Sequence, residues 1–288
     1  MTKRQNRLLP WMGADTEVVD LYAAPLLQLA HVTIPFAGGC SMISRLSQDD
    51  SAVKHMNASD KHHYATNLAR CLADDNAREQ VFALIEFMPL SEQIRYEAVE
   101  FLNAQRSEHQ SKIKAGHLLP DVAAMYFMTA WMGRGGACGT KTEMGSSSVS
   151  TRWIPSGGSS AKRWDTARQS LRDWWGPIMQ RVTFLNDDAF DLLPNVNDRP
   201  DCGLYLDPPW VKEGRRYAFS FDVADHQLLA ADVSRFEHST VVLRYGDDPL
   251  IRRLYADQTR WSIQEIDSRN SANNGVKELM ITNVRGAK

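Results

Sequence analysis

The sequence predicts an open α/β fold, a mostly parallel sheet with helices on both faces, interrupted by a mostly helical insertion. Three observations predict it. Residues 32–68 alternate strand and helix signals in a β-α-β-α order, the opening of a parallel sheet. Residues 76–131 then change to helical spacing with no strand among them. Short β-branched and apolar runs return at 182–185, 203–206, 240–244, 261–266 and 276–283, as a resumed sheet requires.

The first strand is His31-Val32-Thr33-Ile34-Pro35-Phe36, entering the glycine turn Ala37-Gly38-Gly39 before Ser41-Met42-Ile43. Glycine permits positive φ and lets backbone approach a ligand closely. The second strand, residues 53–58, ends at Ser59-Asp60. A carboxylate at the end of the second strand of such a sheet is well placed for ribose hydroxyls. The turn lacks the full G-x-G-x-x-G pattern and no phosphate-binding Lys follows it, which points to a nucleoside-like ligand without phosphates.

In the helical block, Ser91-Glu92-Gln93-Ile94 reads as a helix start, with Ile94, Ala98, Phe101 and Leu102 on one face. Pro120-Asp121 starts another, with Ala124, Phe127, Met128 and Trp131 at helical spacing. Residues 133–160 form a loop rich in Gly and Ser. It carries Arg134, Lys141 and Arg152, with Lys162 and Arg163 just beyond, against a single Glu143. This is either a solvated linker or a DNA-facing loop whose cations meet phosphates.

Residues 163–181 read as an amphipathic helix with a core stripe of Trp164, Ala167, Leu171, Trp174 and Ile178. After the 182–185 strand, Asn186-Asp187-Asp188-Ala189-Phe190 begins a short helical turn, in which Asp187 or Asp188 is an N-cap or a ligand contact. Asp225 is expected to cap the next helix, and Asp248-Pro249 to open another with Pro at its first position. Residues 261–266 and 276–283 pair around a polar turn. The predicted organisation is a sheet domain made of residues 1–75 and 164–288, with 76–163 as the insert.

Composition agrees with one such domain of 288 residues, 43% of them hydrophobic. A formal net charge of −2 gives no global attraction to nucleic acid, so any basic face must be local. The start is basic but has no apolar stretch behind it, and no run of about 18 apolar residues exists to span a bilayer. Cys40, Cys71, Cys138 and Cys202 are scattered without a C-x-x-C pair, so neither disulfides nor a zinc site is expected and a reducing, cytoplasmic setting fits. His62-His63 lacks a third ligand at suitable spacing and reads as helix surface.

The most informative segment is Asp207-Pro208-Pro209-Trp210, directly after the apolar run Gly203-Leu204-Tyr205-Leu206. Proline has no N–H, so the chain leaves a buried strand with a carboxylate and a carbonyl free to face a cleft, beside a large aromatic face. Two acceptors beside an aromatic form a site for a planar ring bearing an amino group. The bland alternative is a strand, a turn and a half-buried Trp.

Taken together, Leu9-Pro10-Trp11-Met12-Gly13, Phe36-Ala37-Gly38-Gly39, Ser59-Asp60 with Asn67-Leu68, Asp207-Pro208-Pro209-Trp210 and the tail Val276-Lys277-Glu278-Leu279-Met280-Ile281-Thr282-Asn283 resemble, in order, the motifs of Dam-like DNA adenine-N6 methyltransferases of the alpha group. The resemblance covers both ends of the chain and weakens in the middle. It implies a Rossmann-like methyltransferase sheet and S-adenosyl-L-methionine as cofactor, with residues 76–163 as target-recognition subdomain. It implies Trp11, Pro35, Phe36, Gly38, Gly39, Asp60 and Asp207 on the cofactor, and Asp207, Pro208, Pro209 and Trp210 as the catalytic set. Double-stranded DNA is the implied partner, without membrane or metal, and a monomer is the expected state.

The basic residues that would face DNA are Arg134, Lys141, Arg152, Lys162 and Arg163, with Lys212, Arg215 and Arg216 on a lid or clamp after the tetrapeptide. Four positions depart from the family pattern. Asp15 stands where a Lys is usual, Ile34 where an acid is usual, Cys40 where a glycine is usual, and Trp210 where a Tyr is usual. The first three bear on cofactor affinity and the last on stacking. At this stage an amino methyltransferase acting on cytosine or RNA adenosine, and a non-catalytic DNA-binding protein on a decayed scaffold, stay open as alternatives.

Overall fold

A computed structural model describes residues 6–13, 18–133, 138–145, 148–149, 158–269 and 274–283. Its centre is a seven-stranded sheet in the order β3-β2-β1-β4-β5-β7-β6. The strands are β1 (His31–Ile34), β2 (His55–Ser59), β3 (Val182–Leu185), β4 (Cys202–Leu206), β5 (Thr240–Gly246), β6 (Trp261–Arg269) and β7 (Gly275–Asn283). β1 to β5 run parallel, and β7 lies antiparallel between β5 and β6. The chain order reverses direction between β1 and β4, the switch point outside whose carboxyl ends open α/β sheets bind ligands.

Alternation along the strands explains why both faces are covered. In β4, Leu204 and Leu206 enter one apolar cluster while Tyr205 enters the other. In β5, Val241, Leu243 and Tyr245 face one side and Val242 the opposite side. Helices pack on both. They are α1 (Val19–Ala23), α2 (Ser41–Leu46), α3 (His63–Ala73), α4 (Asp75–Ile85), α5 (Glu92–Ala104), α6 (Arg106–Lys114), α7 (Pro120–Met132), α8 (Ser160–Ser170), α9 (Gly176–Met179), α10 (Ala189–Leu192), α11 (Val223–Val233) and α12 (Pro249–Leu254).

The helical block α4 to α7 falls between β2 and β3. Its apolar residues share one continuous cluster with the sheet: Phe127 and Trp131 of α7 join Leu68 and Leu72 of α3 and Val32 of β1. The expected boundary at 163/164 falls inside α8, and the one at 75/76 in the first turn of α4.

Two local expectations are corrected. Between α8 and α9 the chain makes a π-helical turn over Leu171–Trp175. Pro177, just beyond, has no N–H to return into an α-helical ladder, so the turn widens. The extra residue shifts the apolar stripe by one position. Trp175, not Trp174, is buried in line with Trp164, Leu171 and Ile178, and the Trp174 indole N–H reaches Ser44 Oγ at 3.1 Å. The cap of α11 is Asp222. Asp225 occupies the third helical position and returns the bond to the Asp222 N–H, completing a capping box.

Candidate active site

One cleft opens at the carboxyl ends of β1, β2 and β4. Gly38, Gly39 and Asp60 line it together with Asp207 and Pro209. Its glycine turn is shaped by close approach. Gly38 has φ +47, and a Cβ there would sit 3.1 Å from the Trp11 indole nitrogen; at Gly39 it would sit 2.8 Å from the Leu9 carbonyl. Both positions therefore need glycine so that the Trp11 segment can lie on the turn. Cys40 follows at φ 63 with its side chain buried, a left-handed conformation that costs a non-glycine residue about 1–2 kcal/mol. Ile34, at the other departure, is buried in β1. Asp15 lies outside the described residues.

Asp60 leaves β2 and clamps the turn. Its Oδ2 accepts the Gly38 N–H and its Oδ1 the His62 N–H, each at 2.8 Å. Burial pushes its carboxyl up, and those two N–H bonds and His62 oppose the rise without cancelling it. Phe36 also lines the cleft, where Phe221 stacks on Phe190 with centroids 5.8 Å apart and meets Phe36 edge-on at 5.8 Å. Asp188 caps α10, as the N-cap reading expects, pairs with Lys61 at 2.6 Å and lines the same cleft.

His62 is a correction. It is not helix surface but 5% exposed, with Nε2 2.7 Å from Glu143 Oε1. The second Glu143 oxygen accepts the Tyr126 hydroxyl at 3.1 Å and the Gly139 N–H at 2.8 Å. His62 stacks on Tyr126 and meets Trp11 edge-on at 5.4 Å. Gly139 has φ +78, and a Cβ there would fall 2.4 Å from the Trp11 ring. Trp11 is thus held between the glycine turn and residues 138–143. Burial opposes the charge on His62, but Glu143 outweighs it and carries His62 above its ordinary value. Burial likewise acts against the Glu143 charge, and His62 with the hydrogen bonds brings it below. His63 is half-buried and its Nδ1 lies 2.6 Å from Asn186 Oδ1. Among the described residues no group of His, Cys, Asp or Glu is placed to hold a metal.

Asp207 follows β4 directly and is held by a residue the sequence reading missed. Arg244 of β5 is 4% exposed, and its Nη1 donates to Asp207 Oδ2 at 3.1 Å. The same guanidinium forks onto Glu278 of β7 through Nε at 2.7 Å and Nη2 at 2.8 Å. Glu278 stands opposite Gly246, two positions along from Arg244 and on the same face. A signal existed for Arg244, the lone charge within an apolar strand, whereas Glu278 follows Lys277 directly. Burial raises the Asp207 carboxyl, Arg244 pulls it down, and the net is above the ordinary range. Trp210 lies behind the cleft lining. A methyl at Gly246 would come within 2.6 Å of its ring, and the Arg244 guanidinium is 5.4 Å from the ring centre.

The segment after the tetrapeptide crosses the cleft as a strap. Tyr217 donates its hydroxyl to the Met12 carbonyl at 2.9 Å, and the Ala218 N–H bonds to the Gly139 carbonyl at 2.8 Å. The Lys141 N–H bonds to the Arg216 carbonyl at 3.1 Å, bringing two of the predicted cations side by side. Lys162, Lys212, Arg215 and Arg216 are exposed, with Lys212 Nζ 3.9 Å from Asp248. Arg163 instead turns inward, where its Nη2 bonds the Trp131 and Gly133 carbonyls at 3.2 and 2.8 Å and closes the end of α7. Arg134 and Arg152 lie outside the described residues.

The sequence profile of the D12 class N6 adenine-specific DNA methyltransferases matches residues 28–269, well over half of the chain. The chain belongs to this family. A family member of this kind is an enzyme that methylates adenine N6 in DNA, and it uses a methyl donor. The matched span contains the glycine turn, Asp60 and the tetrapeptide, while Trp11 and β7 lie outside it. No curated protein matches the chain. No helix among the described residues is long and apolar enough to cross a membrane.

Proposed function

We propose that this methyltransferase transfers a methyl group from S-adenosyl-L-methionine to N6 of an adenine flipped out of double-stranded DNA at a specific sequence, acting as a monomer. The observation that carries this reading is a single cleft at the switch point lined by Gly38, Gly39, Asp60 and Asp207. The donor fits these residues. The turn is cut back to glycine against Trp11, Phe36 and Phe190 offer faces to an adenine, Asp60 lies where a ribose would, and Asp207 offers an anion to a cationic sulfonium. When bound, the donor supplies a methyl already activated by positive charge.

The chain's own part is placement. The Asp207 carboxylate and the Pro208 carbonyl accept the two N6 hydrogens, which draws the nitrogen lone pair out of the ring. That pair forms the new N–C bond as the S–C bond breaks, and the proton left on nitrogen departs through Asp207. Orientation alone is worth ~7–11 kcal/mol in well-aligned pairs. A duplex base reaches the cleft only by leaving the stack, at a few kcal/mol, and stacking on an aromatic face of the cleft returns ~1–3 kcal/mol. Lys141, Lys162, Lys212, Arg215 and Arg216 supply cations for phosphates, with Arg134 and Arg152 as further candidates, and residues 76–163 supply target recognition.

The test is incubation of the chain with mixed-sequence duplex DNA and labelled donor, followed by nucleoside digestion and mass analysis. N6-methyladenine is the expected product. N4-methylcytosine, or labelled RNA adenosine in a parallel reaction with DNA unlabelled, would replace this reading. DNA binding without donor binding would identify a decayed scaffold.

A further inference from the structure

We infer that Arg244, braced by Glu278, is a positioning residue of the transfer site: it fixes which Asp207 oxygen faces the cleft and leaves the site with one excess negative charge. The inference rests on the reading of Asp207 given above. All donors of Arg244 that point toward Asp207 are assigned. Nη1 bonds Asp207 Oδ2 and the Gly13 carbonyl, at 3.1 and 3.0 Å. Oδ1 is thereby the carboxylate oxygen not bound by Arg244.

Glu278 is occupied differently. Besides the fork from Arg244 it accepts the Tyr22 hydroxyl at 3.0 Å and the Ser268 hydroxyl at 2.6 Å. Its charge is met within the protein, and Arg244 is answered by it bidentately. The negative charge left over is that of Asp207, beside the place a sulfonium would occupy. A cation here without Glu278 would neutralise Asp207 and remove its pull on that sulfonium. A lysine could not make the same fork, because its ammonium is a point charge without the planar geometry.

The groups facing Asp207 are Tyr22 from α1, Tyr205 from β4, Arg244 and Tyr245 from β5, Glu278 from β7, Tyr217 from the strap and the Trp210 side chain. The tyrosines are all held far above neutrality by burial. Arg244 and Glu278 are therefore the charged groups that bias Asp207 at working pH, in opposite senses: Arg244 lowers its pKa and Glu278 raises it, while a hydrogen bond from Trp210 lowers it further.

The test compares the wild-type chain with Arg244→Gln, Arg244→Lys and Glu278→Gln, using a duplex oligonucleotide and saturating donor. Single-turnover rate is read against pH, with donor affinity by calorimetry and a thermal melt for folding. Arg244→Gln should slow transfer by about 10²-fold and move the acid limb of the profile to higher pH. Arg244→Lys should move the limb the same way by less without restoring the rate. Glu278→Gln should move it to lower pH and weaken donor affinity. Should Arg244→Gln not fold, the opposite shifts of Arg244→Lys and Glu278→Gln carry the same test. Limbs that stay put, or move together, in an active wild-type background would overturn the positioning role. A wild-type chain that methylates nothing would instead remove the reading of Asp207 itself, and the inference with it.

Discussion

Asp60 and Asp207 occupy equivalent places, each the first residue beyond a parallel strand, on neighbouring sides of one cleft. Their supports differ. Asp60 is held by backbone: both oxygens take N–H groups, from a turn and from the start of α3. Asp207 is held by a buried guanidinium that a second carboxylate and two hydroxyls keep in place. Backbone bonds fix shape and leave the acid little freedom. A side-chain relay fixes charge as well as direction. On the proposed reading, the difference suits an acid that shapes a binding site on one side and one that meets a reacting nitrogen on the other.

The sharpest way to break that comparison is to neutralise each acid in turn. Asp207→Asn should cut single-turnover methylation by about 10²–10³-fold or more while donor affinity, measured by calorimetry, falls far less. Asp60→Asn should do the reverse. Its main effect should be a loss of ~1.5–3 kcal/mol in donor binding, the size of a hydrogen bond to a charged group, with the rate at saturating donor nearly kept. If both variants lose rate and affinity in the same proportion, the two acids form one site and the division fails.

The two sides also differ in how much of them the sequence discloses. The glycine turn, Asp60 and the tetrapeptide are contiguous, and each follows a strand with a clear β-branched or apolar run, so local chemistry suffices to find them. The strand positions follow from the same runs, apart from strand ends. Arg244 and Glu278 come from β5 and β7, and the register of an antiparallel pair decides whether they meet. Sequence spacing alone does not supply that register. His62 failed for a related reason. Its partner Glu143 sits 81 positions on, inside a Gly-rich loop with no local pattern that would pair it with His62. The Trp174 for Trp175 exchange came from a π turn that no 3.6-residue period predicts.

The His62–Glu143 pair gives the Asp60 side a pH signature of its own, read in stability. His62 is carried above 6.5, so its contribution to stability is whole below that value and is lost as pH rises through the raised one. Glu143 is carried below 4.5, so its contribution is whole above 4.5 and is lost as pH falls through the depressed value. Melting temperature should therefore decline on the alkaline side of the ordinary histidine range. Glu143→Gln should flatten that decline and cost about 1–3 kcal/mol at pH 6, since Gln cannot hold the charged imidazole. A variant that keeps the full alkaline slope would place its origin elsewhere.

The smallest expected effect lies where the two sides meet. Tyr217 hangs from the strap that follows Asp207, yet its hydroxyl is spent on the Met12 carbonyl, next to the Trp11 that packs on the glycine turn. Gly13 completes the link, since its carbonyl accepts from Arg244 and a Cβ on it would lie 2.9 Å from the Tyr217 oxygen. Tyr217→Phe removes one hydrogen bond and leaves the ring, so about 0.5–1.5 kcal/mol is at stake. If the strap closes over bound donor, that loss should appear as faster donor dissociation in stopped-flow, with the chemical step unchanged. If it appears only as a lower melting temperature, the strap is a fixed wall, and the two acids communicate through Arg244 and Gly13 alone.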